Sequence, residues 1–318
     1  LKHQHNLNID TGRNFGNDKR EVRCSECGYR TAADLYFTNL QGNVITGCRY
    51  NMSGEINIPD KINDVTIEGI AASAFENQTE ITMAYLPAGI TQIVDNAFAG
   101  CTSLTDINIR EDVTSIGKNA FKNCSLLESI YIPATTYLCD GAFAGCYNMD
   151  ISISEDNPNF IVQNNIVYNK AQTKIVTSGK ISSQLTIPET VTEIGEYAFY
   201  SNSNLTKIII DKQIAIGNYA FCNCDNLENV YFYSYEVPTL GLSAFENTDF
   251  TLYVPQSKRN EYVSAFMGYT NDITSIPVTV TFVVEGTVKN TLNTFYGANI
   301  ANVSDGFKIG YNFDGWYD

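Results

Sequence analysis

The residues best equipped for chemistry stand at the start of the chain. His3 and His5 are its only histidines, and after 18 intervening residues comes Cys24-Ser25-Glu26-Cys27-Gly28-Tyr29. A Cys-x-x-Cys turn followed by Gly aims two thiolates at one point. Two imidazoles upstream could complete a tetrahedral Cys2His2 donor set for zinc. The same residues also fit a frayed end with a turn and two idle thiols. No other cofactor is implied. Between Asn6 and Asp318 there is no histidine at all, and a Ser-His-Asp or Cys-His nucleophile needs an imidazole within hydrogen-bond reach. Neither a P-loop nor a dinucleotide fingerprint is present. The 35 Asp and Glu residues fall mostly at turn positions, where solvation explains them. An enzyme is therefore not expected; the alternative in that class is a carbohydrate-active enzyme built on a carboxylate pair.

Charge narrows the partners. With 20 basic residues against 35 acidic ones the chain carries −15, which repels a phosphate backbone and argues against nucleic acid. No run of eighteen apolar residues exists, so no membrane-spanning helix is expected in this sequence. It begins at Leu1, without Met or a signal-peptide pattern, and reads as a mature or trimmed fragment. A monomer is expected.

The elements that would position any site come from one repeated phrase. Ala-Phe pairs end at Phe75, Phe98, Phe121, Phe143, Phe199, Phe221 and Phe245, so the steps are 23, 23, 22, 56, 22 and 24 residues. A period in the twenties marks a solenoid. Within a copy, a period-two pair such as Ile107/Ile109 or Ile130/Ile132 marks a strand with one buried face. Ile116, Ala120 and Phe121 mark the returning arm, with Gly117 at a tight bend. The expected fold is a mostly β, right-handed coil of short strands with irregular or short helical returns. A single coil cannot bury enough surface to order itself, so the stack is the cooperative unit. Cys101, Cys124, Cys146 and Cys224 each follow an anchor Phe by three residues. They read as reduced thiols in a small, semi-buried slot.

Three regions follow from this. Residues 1–40 do not fit the repeat and hold the zinc-like set. Residues 41–276 form the solenoid with its caps. Its 56-residue step holds an insertion at 151–184 that reads as a hairpin around Asn164-Asn165, with a third strand at Lys174–Val176, substituting for one coil. Residues 256–267 read as a closing helix with Tyr262, Val263 and Phe266 on its buried face and Ser257 as N-cap. Residues 277–318 begin a different pattern: Val278, Val280, Phe282 and Val284 alternate as a strand, Glu285-Gly286 turns, and Val288 resumes.

The phrase carried by Leu104, Ile107, Ile109, Val113, Ile116, Gly117, Ala120, Phe121 and Cys124 resembles the BspA-like, Treponema pallidum-type leucine-rich repeats. Cys139, at the Gly position of its copy, and Val237-Pro-Thr-Leu240-Gly depart from it. The tail, ending YNFDGWYD, resembles the Listeria–Bacteroides repeat, a small β-grasp-like module. These resemblances imply a non-catalytic protein, secreted or at the bacterial cell surface, that adheres to a protein or glycan ligand such as a host matrix protein. A structural spacer displaying other modules is the alternative. The register places Tyr85, Asn108, Tyr131, Ser152, Thr186, Ile209 and Tyr231 in one outward column, with Arg110 and Tyr233 in the next. Tyr is favoured at interfaces but also simply suits strands. The candidate ligand-binding residues are Tyr85, Asn108, Arg110, Tyr131, Ile209, Tyr231 and Tyr233.

Overall fold

A computed structural model describes residues 7–9, 21–24, 30–32, 37–38, 43–47, 52–62, 65–270, 272–284 and 287–298. The repeat builds a mostly β solenoid in which each coil gives one strand to each of two parallel ladders. The longer strands form the first ladder: Ser53–Asn57, Glu80–Tyr85 and Asp106–Ile107 hydrogen-bond in sequence, and Ser129–Ile132 pairs with Asp150–Ile153. It continues through Gln184–Thr186, Lys207–Ile210, Asn229–Phe232, Thr251–Val254 and Ile273–Ser275. Two-residue strands such as Gln92–Ile93, Ser115–Ile116 and Tyr137–Leu138 make the second ladder. Ile and Val fill the inner positions of both, as period-two burial requires. Ile130, Ile132, Ile208, Val230 and Leu252 are all buried.

The return arm depends on two left-handed residues per coil. One precedes each Ala-Phe: Ser73, Asn96, Asn119, Gly141, Tyr197, Tyr219 and Ser243. The other follows Phe by two: Asn77, Gly100, Asn123, Gly145, Ser201, Asn223 and Asn247, and all fourteen have φ between 52° and 80°. Asn and Gly tolerate that region best. The bends turn the Phe side chains into the core. Phe75, Phe98, Phe121 and Phe143 stack with centroids 4.9, 5.5 and 5.4 Å apart. Phe199, Phe221 and Phe245 stack again at 5.1 Å. Backbone bonds knit the same layer: Phe98 N–H donates to Ala120 and Phe221 N–H to Ala244, both at 2.8 Å.

The Cys slot is completely enclosed, tighter than the semi-buried position its composition suggests. Cys101, Cys124, Cys146 and Cys224 are at most 1 % exposed, and all are reduced thiols. Each donates its S–H to the carbonyl of the preceding coil's Phe: Cys124 to Phe98 at 3.2 Å, Cys224 to Phe199 at 3.1 Å. Thr248 does the same toward Phe221. In these five coils the slot holds a small side chain that donates to the neighbouring coil, whereas Gln78 and Asn202 occupy it in the other two. Gly117 also has a different reason from a bend. A β-carbon on it would lie 2.6 Å from the Asp95 backbone nitrogen of the coil before, so it is needed for close approach.

The insertion forms three antiparallel strands, Phe160–Gln163, Ile166–Asn169 and Lys174–Ser178. Asn164 and Asn165 both take positive φ, 51° and 60°, as a tight hairpin turn demands. It does not loop outward. Val167 and Val176 belong to the N-terminal core, while Ile166, Tyr168 and Ile175 belong to the C-terminal core. A strand whose alternate residues face two cores is buried on both sides, as in a central parallel strand. The insertion is thus an internal partition. Its third strand then rejoins the short ladder by pairing with Glu193–Ile194.

Asn165 laces the partition in place. Its Oδ1 accepts from Ile151 N–H at 2.9 Å, and its Nδ2 donates to Asp150 Oδ1 at 2.9 Å and to the Lys180 carbonyl at 3.0 Å. Side-chain bonds thereby join the strand before the insertion to the chain leaving it.

At the far end, a 3-10 turn Gln256–Lys258 leads into a helix, Arg259–Ala265. Tyr262 and Phe266 are buried over the last coil, but Val263 is 39 % exposed, so the expected buried face is narrower by one residue. Ser257 is not the cap: it lies within the 3-10 turn, and the helix follows Lys258 without a side-chain cap bond. Beyond it, Pro277–Val284 and Thr287–Phe295 pair antiparallel. The Glu285-Gly286 turn lies outside the described residues, as does the YNFDGWYD segment. No helix among the described residues is long and apolar enough to cross a membrane.

Candidate binding face

The long-strand sheet aligns outward residues as the repeat register requires. Tyr131 stands opposite Ser152, and Thr186, Ile209 and Tyr231 follow one another across adjacent strands. Tyr253 extends that row by one strand. The column is real, but its tyrosines form no single stripe. Adjacent strands are about 4.8 Å apart, and Ser152, the partition and two further strands separate Tyr131 from Tyr231. Tyr85 and Tyr131 are therefore isolated positions, with Tyr131 44 % exposed.

Asn108 and Arg110 do different work. The Asn108 Oδ1 accepts the Leu86 N–H at 2.6 Å, so this amide staples two coils together. Arg110 is exposed. Ile209 is half-buried, flanked in register by Thr186 and Tyr231.

The tyrosines converge at the C-terminal third. Tyr231 and Tyr253 stack at 4.2 Å and 7°, and Tyr233 lies 6.3 Å from Tyr231. Lys207 Nζ sits 4.8 Å from the Tyr231 ring centroid, a cation–π contact. The tail adds Tyr296, which meets Tyr233 edge-on at 5.5 Å and Tyr235 at 5.7 Å. Two backbone bonds hold it, Tyr296 N–H to the Ile276 carbonyl and Gln256 N–H to the Tyr296 carbonyl, both 2.8 Å. Gly297 makes this approach possible: it has φ 74°, and a β-carbon there would stand 3.2 Å from Pro255 and from the Tyr235 ring. Burial, then the neighbouring phenols, push the Tyr231 and Tyr296 hydroxyls up, so both are neutral donors at ordinary pH. The arrangement offers five phenols and one ammonium on a sheet surface: hydrogen-bond donors, ring edges and a single positive charge.

Sequence reasoning found Tyr231 and Tyr233 and missed Tyr253 and Tyr296. Tyr253 was within reach, because Thr-Leu-Tyr-Val continues the same column by one strand. Tyr296 carries no repeat signal, since it arrives from the tail.

Of the zinc-like set, His3, His5 and Cys27 lie outside the described residues. Cys24 ends the strand Glu21–Cys24, whose register sets it opposite Leu7.

Two ladders of short parallel strands, a stacked Phe column and a coil of 22 to 24 residues define a leucine-rich repeat solenoid. The family model for BspA type leucine rich repeat regions matches in six copies over residues 41–150 and 177–274, and the chain belongs to this family. Among solved structures, the Treponema pallidum leucine rich repeat protein is similar over 68 % of this chain and 87 % of its own, at 20 % identity and TM-score 0.40. The pneumococcal vaccine antigen PcpA is similar over 86 % of this chain and 99 % of its own, at 13 % identity and TM-score 0.41. A leucine rich cell surface protein from Faecalibacterium prausnitzii is similar over 69 % and 73 %, at 17 % identity and TM-score 0.33. No curated protein matches the sequence.

Proposed function

We propose that this chain is a non-catalytic adhesion protein, secreted or displayed at the bacterial surface, that captures a protein or glycan on the outward face of its long-strand sheet. The observation that carries this reading is the tyrosine cluster of Tyr231, Tyr233, Tyr235, Tyr253 and Tyr296 beside Lys207. Tyrosines supply large, rigid contact area at little entropic cost, and they concentrate where binding energy concentrates. None of the five belongs to the hydrophobic core. Membership of a repeat family fits, since stacked coils present extended binding surfaces.

The test is an array of matrix proteins and glycans probed with the full chain, then with Tyr231→Ser, Tyr233→Ser and Tyr253→Ser combined. Capture should fall at least about tenfold, which corresponds to about 1.4 kcal/mol, while circular dichroism and the melting temperature hold. Undiminished capture sinks the assignment to this face. If the chain captures nothing, and a longer surface protein carrying it still adheres through another module, the spacer reading replaces adhesion.

A further inference from the structure

A second cluster lies on the return arm, away from the sheet. Here Tyr197 and Tyr219 occupy the left-handed position before Ala-Phe, with φ 59° and 55°. The other five coils place Ser, Asn or Gly there. A bulky aromatic at positive φ is a backbone outlier, held here by a repeat that imposes the left-handed conformation in every coil. The two rings stack at 4.9 Å and 8°, and Tyr200 meets Tyr197 edge-on at 5.4 Å. Asn223 Nδ2 donates to the Tyr200 hydroxyl at 3.1 Å and fixes that ring.

Lys122 reaches into this group from an earlier coil. Its Nζ lies 4.5 Å from the Tyr197 centroid and 4.8 Å from that of Tyr200. In a chain of net charge −15, this half-buried ammonium has no carboxylate within ion-pairing distance among the described residues. The nearby Glu196 is taken by Lys118 at 3.0 Å, and Asp140 by Lys174 at 3.0 Å. Burial pushes the Lys122 ammonium down from its ordinary value, and the nearby Glu196 offsets this only in part, the expected response of a desolvated cation that makes no close ion pair.

We propose that Lys122, Tyr197, Tyr200 and Tyr219 form a binding site for a saccharide carrying a carboxylate, such as a sialic or uronic acid unit. One unpaired cation matches one carboxylate. Phenol rings and hydroxyls match the apolar face and hydroxyl groups of a pyranose. An acidic peptide or a sulfated polymer brings many charges to a strongly acidic surface, with Glu196 and Asp140 adjacent, and is disfavoured by like-charge repulsion.

Titration of the full chain with sialyllactose and with glucuronic acid, each carrying one carboxylate, against lactose as the neutral control, tests this. The acidic saccharides should bind and lactose should not. Lys122→Gln should weaken binding by about tenfold or more, the scale of a partly desolvated charge contact. Tyr219→Asn should weaken it comparably while the melting temperature stays or rises, because Asn suits the backbone better. The triple Tyr231/Tyr233/Tyr253 variant should bind these saccharides unchanged, which separates this site from the sheet face. The proposal is overturned by equal binding of lactose, by unchanged binding in Lys122→Gln, by polyglutamate binding more tightly than either saccharide, or by no acidic saccharide binding at about 10 mM.

Discussion

Replacing Asn165 by Ala should show how the partition holds the two halves of the solenoid together. Two costs add. Losing the side chain leaves the part-buried Ile151 N–H without its acceptor, which costs about 1–3 kcal/mol. Alanine must also adopt φ 60°, which costs about 1–2 kcal/mol. The sum is about 2–5 kcal/mol, a large share of a typical domain's stability. Asn165→Gly removes the second cost and keeps the first, so it should destabilise by about 1–3 kcal/mol. Asn164→Gly is the control: φ is 51° there, the side chain is exposed, and the change should stay within about 0.5 kcal/mol. Urea unfolding followed by circular dichroism gives all three values. If Asn165→Ala costs less than about 1 kcal/mol, or if Asn164→Gly costs as much, the lacing role assigned to Asn165 is wrong.

Two further predictions rest on cysteine. Burial pushes the Cys224 thiol from its ordinary value of 9.0 up to about 12. The folded state therefore keeps its proton at pH values where the unfolded thiol ionises, so this contribution to stability is complete below pH 9 and is lost as pH rises toward 12. Urea midpoints at pH 8 and pH 10.5 should fall in that order, and Cys224→Thr, patterned on Thr248, should flatten the slope; an equal slope in both proteins refutes the assignment. At the N-terminus, metal analysis of protein purified without a His-tag column separates the two readings of His3, His5, Cys24 and Cys27: about one zinc per chain marks a Cys2His2 site, and its absence marks a frayed end. Metal analysis finding less than about a tenth of an equivalent, or zinc retained after Cys24→Ser and Cys27→Ser together, rejects that site.

Much of the solenoid was legible because its signal repeats. Phe121 and its counterparts, Ile130/Ile132 and the Cys slot all recur at one spacing, so each position is read several times. The left-handed positions were half legible: Asn, Gly and Ser recur at them, but Tyr197 and Tyr219 break the pattern, because their side chains obey something other than backbone preference. The partition was legible as a hairpin and not as a partition. Phe160, Ile166, Val167 and Ile175 announce strands, yet nothing local tells whether a strand has one core beside it or two. The binding face was legible only inside the repeat. The row through Thr186, Ile209 and Tyr231 follows from register, whereas Tyr296 depends on where Gly297 lets the tail pass. Val263 and Ser257 failed for a related reason: nothing local announces the 3-10 turn at Gln256–Lys258, which delays the helix to Arg259.

The enclosed thiols have a use beyond packing. Cys101, Cys124 and Cys146 lie in the N-terminal core and Cys224 in the C-terminal one, each with its S–H turned onto a carbonyl of the neighbouring coil. No alkylating reagent reaches them until the coils part. Their labelling rates therefore act as two clocks, one in each half, that record how often each side of the partition opens. Mass spectrometry of alkylated peptides would read both clocks in a single sample, under native conditions and without an added probe.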